Sequence, residues 1–240
     1  MKCIAMIPAR YASTRFPAKL MQMMGSKTVI RHTYDNTVKT ELFDRVIVVT
    51  DSQIIYDEIS LHGGEVMMSR KNHESGTDRI AEAVENLETE IVVNVQGDEP
   101  FVKREPLLKL LEVFKNDPSV QVASLMQVMN NKKNIEDPNY VKVAVDLKMN
   151  ALFFSRSVIP YSRDKSIPSI YYEHIGVYGF RKQALLQFTA WPVTQLEGAE
   201  KIECLRYLEH GVPLRMVVTE YMGIEIDTPE DLQMAISKLN

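Results

Sequence analysis

Four short runs of β-branched and aliphatic residues, each followed by an amphipathic segment of helical length, fill the first 114 residues. That alternation limits the fold more than any other feature. The pairs are Cys3 to Ile7 with Thr28 to Val38, Arg45 to Thr50 with Gln53 to Leu61, Val66 to Met68 with Thr77 to Leu87, and Ile91 to Val95 with Glu105 to Phe114. Strands and helices in this order build βαβ units and a mainly parallel sheet. The pattern changes after residue 120, where Val120 to Met126, Val141 to Val145 and Ala151 to Phe154 are separated by turn residues rather than long helices, which predicts some antiparallel pairing. Two more helices are predicted: one from about Glu197 to Glu209, ended by Gly211, and one starting at Thr228-Pro229-Glu230, where Thr caps and Pro takes the first helical position. Pro213 to Thr219 reads as a strand between them, and 130–139 and 163–169 read as surface loops. No repeat, low-complexity tract or long linker interrupts the 240 residues. The expected fold is α/β, a mixed, mainly parallel sheet with flanking helices in one domain with an elaborated C-terminal half.

Composition removes several classes of function. A net charge of −4 leaves no overall field for nucleic acid or an anionic membrane, so an anionic ligand must be met by local cations. The N-terminal apolar stretch is too short for a signal core, and no window approaches the ~18 apolar residues of a membrane span. Cys3 and Cys204 form no CxxC or zinc spacing, which suits a reducing, cytoplasmic setting.

The first strand runs into Pro8-Ala9-Arg10-Tyr11-Ala12-Ser13-Thr14-Arg15-Phe16-Pro17-Ala18-Lys19, which places three cations and two hydroxyls at the carboxyl end of a strand. Ligands of open α/β sheets bind at that edge. Arg10, Arg15 and Lys19 suit a polyphosphate, although neither GxxxxGK[ST] nor GxGxxG is present, and a solvated basic loop is the other reading. After the fourth strand, Gln96-Gly97-Asp98-Glu99 puts a carboxylate where Mg²⁺ is held against phosphates, or alternatively forms an acidic turn. Asp227 precedes the last helix as a second such acid or as a cap. In His73-Glu74-Ser75-Gly76-Thr77-Asp78-Arg79 the hydroxyls and glycine can read a base or ribose; otherwise they cap a helix with Arg79 paired to Asp78 or Glu82. His174, Gly176, Tyr178 and Phe180 share one strand face, and Glu197, Glu200 and Cys204 one helix face. Met21, Met23 and Met24 read as packing residues rather than ligands.

Taken together, PARYASTRFPAK, HESGTDR, VNVQGDEP, YVKVAVD, ALFFSR, IPY, HIGVYGF, LEGAEKIECLR and IDTPEDL resemble, in order and almost from end to end, the motifs of the 3-deoxy-manno-octulosonate (Kdo) cytidylyltransferases. The resemblance implies a Rossmann-like, GT-A-like nucleotidyltransferase fold and transfer of CMP from CTP to Kdo with Mg²⁺, for lipopolysaccharide synthesis. It also implies a cytoplasmic homodimer, with dimerisation and sugar-binding elements in the C-terminal half. Residue by residue it implies that Arg10, Ser13, Arg15, Lys19, Ser75 and Arg79 bind the nucleotide and that Asp98 and Asp227 hold the metal. Lys19, Asp98 and Asp227 are then the catalytic set, and Gln96, Arg156, His174, Tyr178, Glu197 and Glu200 surround the sugar acid. Three positions depart from the family. Pro17-Ala18-Lys19-Leu20 stands where PGKP is usual, Glu203-Cys204-Leu205-Arg206 replaces EQLR, and Glu225 adds an acid near Asp227.

Overall fold

The computed structural model describes residues 1–239 except Thr14, Arg15, Glu74, Lys165, Tyr221 and Met222. In chain order the elements are β1 (Cys3–Ala9), a 3-10 turn (Lys19–Met21), β2 (Met23–Met24), β3 (Lys27–Thr28), α1 (Val29–Lys39), β4 (Arg45–Thr50), α2 (Gln53–Ser60), β5 (Val66–Met68), α3 (Gly76–Val84), β6 (Ile91–Asn94) and α4 (Arg104–Asn116). They continue as β7 (Val122–Val128), α5 (Lys132–Glu136), β8 (Lys142–Val145), β9 (Ala151–Ser155), β10 (Tyr172–Arg181), α6 (Lys182–Ala190), α7 (Gln195–Glu200), α8 (Leu205–Glu209), β11 (Leu214–Val218) and α9 (Pro229–Ser237). The chain divides into two compact units, 1–108 with 222–240 and 109–221. The division falls inside α4, so no change of composition marks it.

In the first unit β1 pairs in parallel with β4 on one side and β6 on the other, and β4 pairs in parallel with β5. All seven residues of β1 are buried, as expected for a parallel strand covered on both faces. The chain leaves β1 towards β4 and β5, then returns to β6 on the opposite side. β1 and β6 therefore flank a topological switch point, and the loops that follow them leave from its carboxyl edge.

The second unit is mixed. β7 lies between parallel β11 and antiparallel β10; β10 also pairs with β8, and β8 with β9, both antiparallel. The short strands after residue 120 thus pair as expected. Pairing along β10 is interrupted between Ile175 and Tyr178, where the register shifts by two residues against β7. An insertion of two keeps the parity of the strand, so His174 and Tyr178 still share a face, opposite Met126 and Ser124. Ser124 Oγ sits inside this bulge, 3.0 Å from the carbonyl oxygen of Ile175 and 2.9 Å from that of Val177.

The helix expected over residues 197–209 is instead two short helices. Lys201 takes a left-handed conformation (φ 54) that ends α7, and α8 restarts at Leu205. Glu197, Glu200 and Cys204 therefore do not share one continuous helix face. Two helices went unpredicted: α5, capped by Asn131, lies within an expected loop, and α6 buries Ala184, Leu185 and Phe188. The three methionines separate, Met24 being fully buried and Met23 exposed.

Candidate active site

Two segments of the first unit close on Pro8, near the end of β1. Gly97 lies so close that a Cβ there would stand 3.0 Å from the Pro8 carbonyl oxygen, and one on Gly76 would stand 3.0 Å from the Pro8 ring. The Gly97 loop is pinned from the other side by Thr33, whose hydroxyl donates to the Gly97 carbonyl at 2.9 Å. Any larger residue at 97 would push Asp98 off the strand edge. The backbone N–H of Ile226 donates to the Asp98 carbonyl at 2.9 Å, which docks the C-terminal segment beside Asp98 across 128 residues of sequence. The cap of α9 is made by Thr228 and Asp231, the Thr228 Oγ accepting from Asp231 N–H and the Asp231 carboxylate accepting from Thr228 N–H. Asp227, read as a possible cap, is thereby left to face inward.

There it meets Lys19. The Lys19 ammonium lies 2.5 Å from Asp98 Oδ2 and 2.8 Å from Asp227 Oδ1, joining residues 208 positions apart. Burial alone would lower the Lys19 pKa, but Asp98 and Asp227 outweigh it and raise it. Ala18, which precedes the 3-10 turn, has φ 51, a left-handed conformation that glycine adopts freely. The departure from PGKP is thus an alanine held where the backbone favours glycine.

Asp98, Glu225 and Asp227 each present a carboxylate oxygen, all within 4.8 Å of one another. These hard oxygens are the donor type that Mg²⁺ takes, and the ammonium already among them shows that the position accepts positive charge. Glu99 feels the same concentration of acid. Burial first, then Glu225 and Asp98, push its carboxyl up to about 8. Glu225 did not stand among the site residues expected from sequence; the available signal was its position two residues before Asp227.

Arg10 and Ser13 line a cavity of about 480 Å³ together with Tyr11, Ala12, Pro17 and Ala18. Arg15 lies outside the described residues. Ser75 caps α3, its Oγ accepting from Asp78 N–H at 3.1 Å. Arg79 is buried, donating to Asp51 Oδ2 at 2.6 Å and to Ser69 Oγ at 2.8 Å. Its carboxylate partner is thus Asp51, while Glu82, one of the two partners considered, takes His73 at 2.5 Å and Arg70 instead. Ser75 and Arg79, expected to bind the nucleotide, are thus both engaged within the protein.

In the second unit His174 packs edge-on to Phe154, with ring centroids 4.8 Å apart, and beside Tyr178 at 5.4 Å. Burial lowers the His174 pKa to about 3, so the ring is neutral at physiological pH. With Nε2 3.1 Å from Ser124 Oγ, whose own hydrogen serves a bulge carbonyl, the Nε2–H tautomer is the consistent assignment. The Tyr178 hydroxyl is hydrogen-bonded to Cys204, so the thiol that replaces the family's glutamine touches this face. Glu197 is buried in a two-pronged pair with Arg206, at 2.7 and 2.5 Å. Glu200 accepts from Ser155 Oγ at 2.7 Å and from Arg156 N–H at 3.0 Å. Arg156 in turn donates to the carbonyls of Glu200 and Pro138, and buried Lys142 to those of Asp137 and Tyr140. These charged side chains hold β8, β9, α7 and α8 in register. Gln96, half-buried, follows β6 in the first unit, its carbonyl accepting from Glu99 N–H.

A parallel sheet whose switch point carries an arginine-lined cavity and a lysine set between two aspartates defines an α/β protein of the nucleotidyltransferase type. The chain belongs to the cytidylyltransferase family, which it matches over residues 4–219. It is 59% identical to the 3-deoxy-manno-octulosonate cytidylyltransferase of Flavobacterium johnsoniae, over 100% of this chain and 99% of that one. The enzyme of the same name from Christiangramia forsetii is 53% identical, over 98% and 95%. A solved structure of CMP:2-keto-3-deoxy-manno-octonic acid synthetase complexed with CTP is similar with a TM-score of 0.95 at 33% identity, covering 100% of this chain and 98% of that one.

Proposed function

We propose that this protein transfers CMP from CTP to Kdo, releasing pyrophosphate, with Mg²⁺ held at Asp98 and Asp227. The observation that carries this is the Lys19–Asp98–Asp227 cluster beside the arginine-lined cavity at the switch point. End-to-end similarity to enzymes named for that sugar acid supports the choice of acceptor.

In this reading a Kdo hydroxyl attacks the α-phosphorus of CTP, a P–O bond to the sugar forms, and the bond to the β-phosphate oxygen breaks. The electron pair leaves with pyrophosphate, and the hydroxyl proton passes to a base, a role assigned here to Asp98. Arg10, Arg15 and Lys19 hold the triphosphate and offset charge that grows on its oxygens as the leaving group departs. Ser13 orients the phosphates, while Ser75 and Arg79 fix the loop on the nucleoside side. When bound, Mg²⁺ supplies Lewis-acid polarisation of the phosphoryl oxygens. His174 and Tyr178 present polar tips to the polyhydroxylated acceptor, with Gln96, Arg156, Glu197 and Glu200 shaping its surroundings. A neutral His174 keeps one acceptor nitrogen, which suits a sugar hydroxyl better than a second cation would.

The protein is further proposed to act as a homodimer in the cytoplasm, in lipopolysaccharide synthesis. Buried free thiols at Cys3 and Cys204 suit a reducing compartment, and no described helix is long and apolar enough to cross a membrane. Pyrophosphate release from CTP, with Kdo, 8-amino-Kdo and N-acetylneuraminic acid offered separately, tests the reading. Release with Kdo that vanishes on chelation and returns with Mg²⁺ is expected; preference for another acid would move the specificity to the face that Cys204 touches, and release with none would overturn the proposal.

A further inference from the structure

We propose that Lys19 is a tethered place-holder for the divalent cation: its ammonium and the metal compete for Asp98, Asp227 and the additional acid Glu225, so that metal loading releases Lys19 to the triphosphate. This rests on the reading that the carboxylate cluster takes a divalent cation, and adds how the chain behaves before the cation arrives. The ammonium makes contacts of 2.5 and 2.8 Å with one oxygen each of Asp98 and Asp227, the two acids that otherwise serve the metal. Oxygens of Asp98, Glu225 and Asp227 lie within 4.8 Å of one another, which leaves no room among them for an ammonium and a divalent cation without strong repulsion. Three carboxylates so close need a cation to be stable together, and the lysine supplies one from within the chain.

Lys19 has somewhere to go. It follows Ala18, which lines the cavity shared by Arg10 and Ser13, and its four-carbon stem needs only rotation about side-chain bonds to redirect the charge. The exchange couples two events. In the absence of metal the lysine is bound to its own acids and withheld from phosphate; with metal in place those acids are satisfied and the lysine becomes a phosphate ligand. Glu225 strengthens the metal side of the balance, because a third hard oxygen favours a divalent ion over an ammonium that already has two partners.

The test titrates Mn²⁺ alone into the full nucleotide-free chain by calorimetry, comparing wild type, Lys19→Met and Glu225→Gln. Removing the competitor is expected to tighten Mn²⁺ binding about tenfold or more in Lys19→Met, and removing the third oxygen to weaken it several-fold in Glu225→Gln. Equal Mn²⁺ affinity in wild type and Lys19→Met overturns the exchange alone, while no Mn²⁺ binding to either overturns the metal reading with it. Unchanged affinity in Glu225→Gln overturns the part given to that residue. Should Lys19→Met fail to fold, acylation of Lys19 in the wild type, mapped by mass spectrometry, decides the matter. A several-fold rise in its reactivity on adding Mn²⁺ supports release from the carboxylates, and an unchanged rate overturns it.

Discussion

Ala18 shows how one side chain can leave a record of a departure from its family. With φ at 51, it carries a left-handed conformation that costs an alanine about 1 kcal/mol more than a glycine. Ala18→Gly is therefore expected to stabilise the fold by roughly 0.5 kcal/mol, part of the gain being lost to the more flexible unfolded chain. Denaturant unfolding measures this, and a destabilised variant would contradict it. His174 yields a prediction of pH dependence. Its pKa falls from an ordinary 6.5 to about 3 on folding, so the unfolded chain binds the extra proton between those values and stability is lost as pH drops through that window. Between about pH 7.5 and about pH 5.5 that loss is about 1.4 kcal/mol, and His174→Gln should lack it. Equal pH dependence in both proteins would show that His174 titrates normally.

Among the elements, α7 and α8, divided at left-handed Lys201, are joined by a buried ion pair. Glu197 closes the capping box of α7 while its carboxylate binds Arg206 of α8, whose guanidinium also lies 4.0 Å over the Phe188 ring. Arg206→Met leaves the Glu197 charge buried without that partner and should cost about 3 kcal/mol; adding Glu197→Leu should recover most of it. A single variant within about 0.5 kcal/mol of wild type would show that the pair does not hold these helices. The break itself was hard to read from sequence, because nothing local announces a lysine in the left-handed region. The parallel strands were legible, since β1, β4 and β6 are buried on both faces and read as unbroken apolar runs. The α6 helix was not, because Ala184, Leu185 and Phe188 form too short an apolar stripe to stand out. The bulge in β10 was hidden as well, an insertion of two residues leaving the alternation of His174 and Tyr178 unchanged.

For the molecule as a whole, the residues assigned to donor and acceptor, apart from Gln96, separate with the fold. Arg10, Ser13, Lys19, Asp98 and Asp227 belong to the first unit, as does Gln96, whereas Arg156, His174, Tyr178, Glu197 and Glu200 belong to the second. Sequence motifs proposed both sets, and several of these motifs end a strand or open a helix, while that of His174 and Tyr178 lies within β10. They could not show that Asp98 and Asp227 share one lysine, since that contact depends on a backbone bond between residues 98 and 226. They also could not separate residues that face a ligand from those that hold the frame; Arg79, Glu197 and Glu200 have the residue types of a binding site and the bonding of a brace. The most direct test is transfer of label from CTP carrying ³²P at the α-position into a CMP-sugar, in wild type, Asp98→Asn and Asp227→Asn. The account predicts labelled CMP-Kdo from the wild type, and formation at least about 10²-fold slower in each variant with the fold retained. Variants that transfer label within about twofold of the wild-type rate would contradict it.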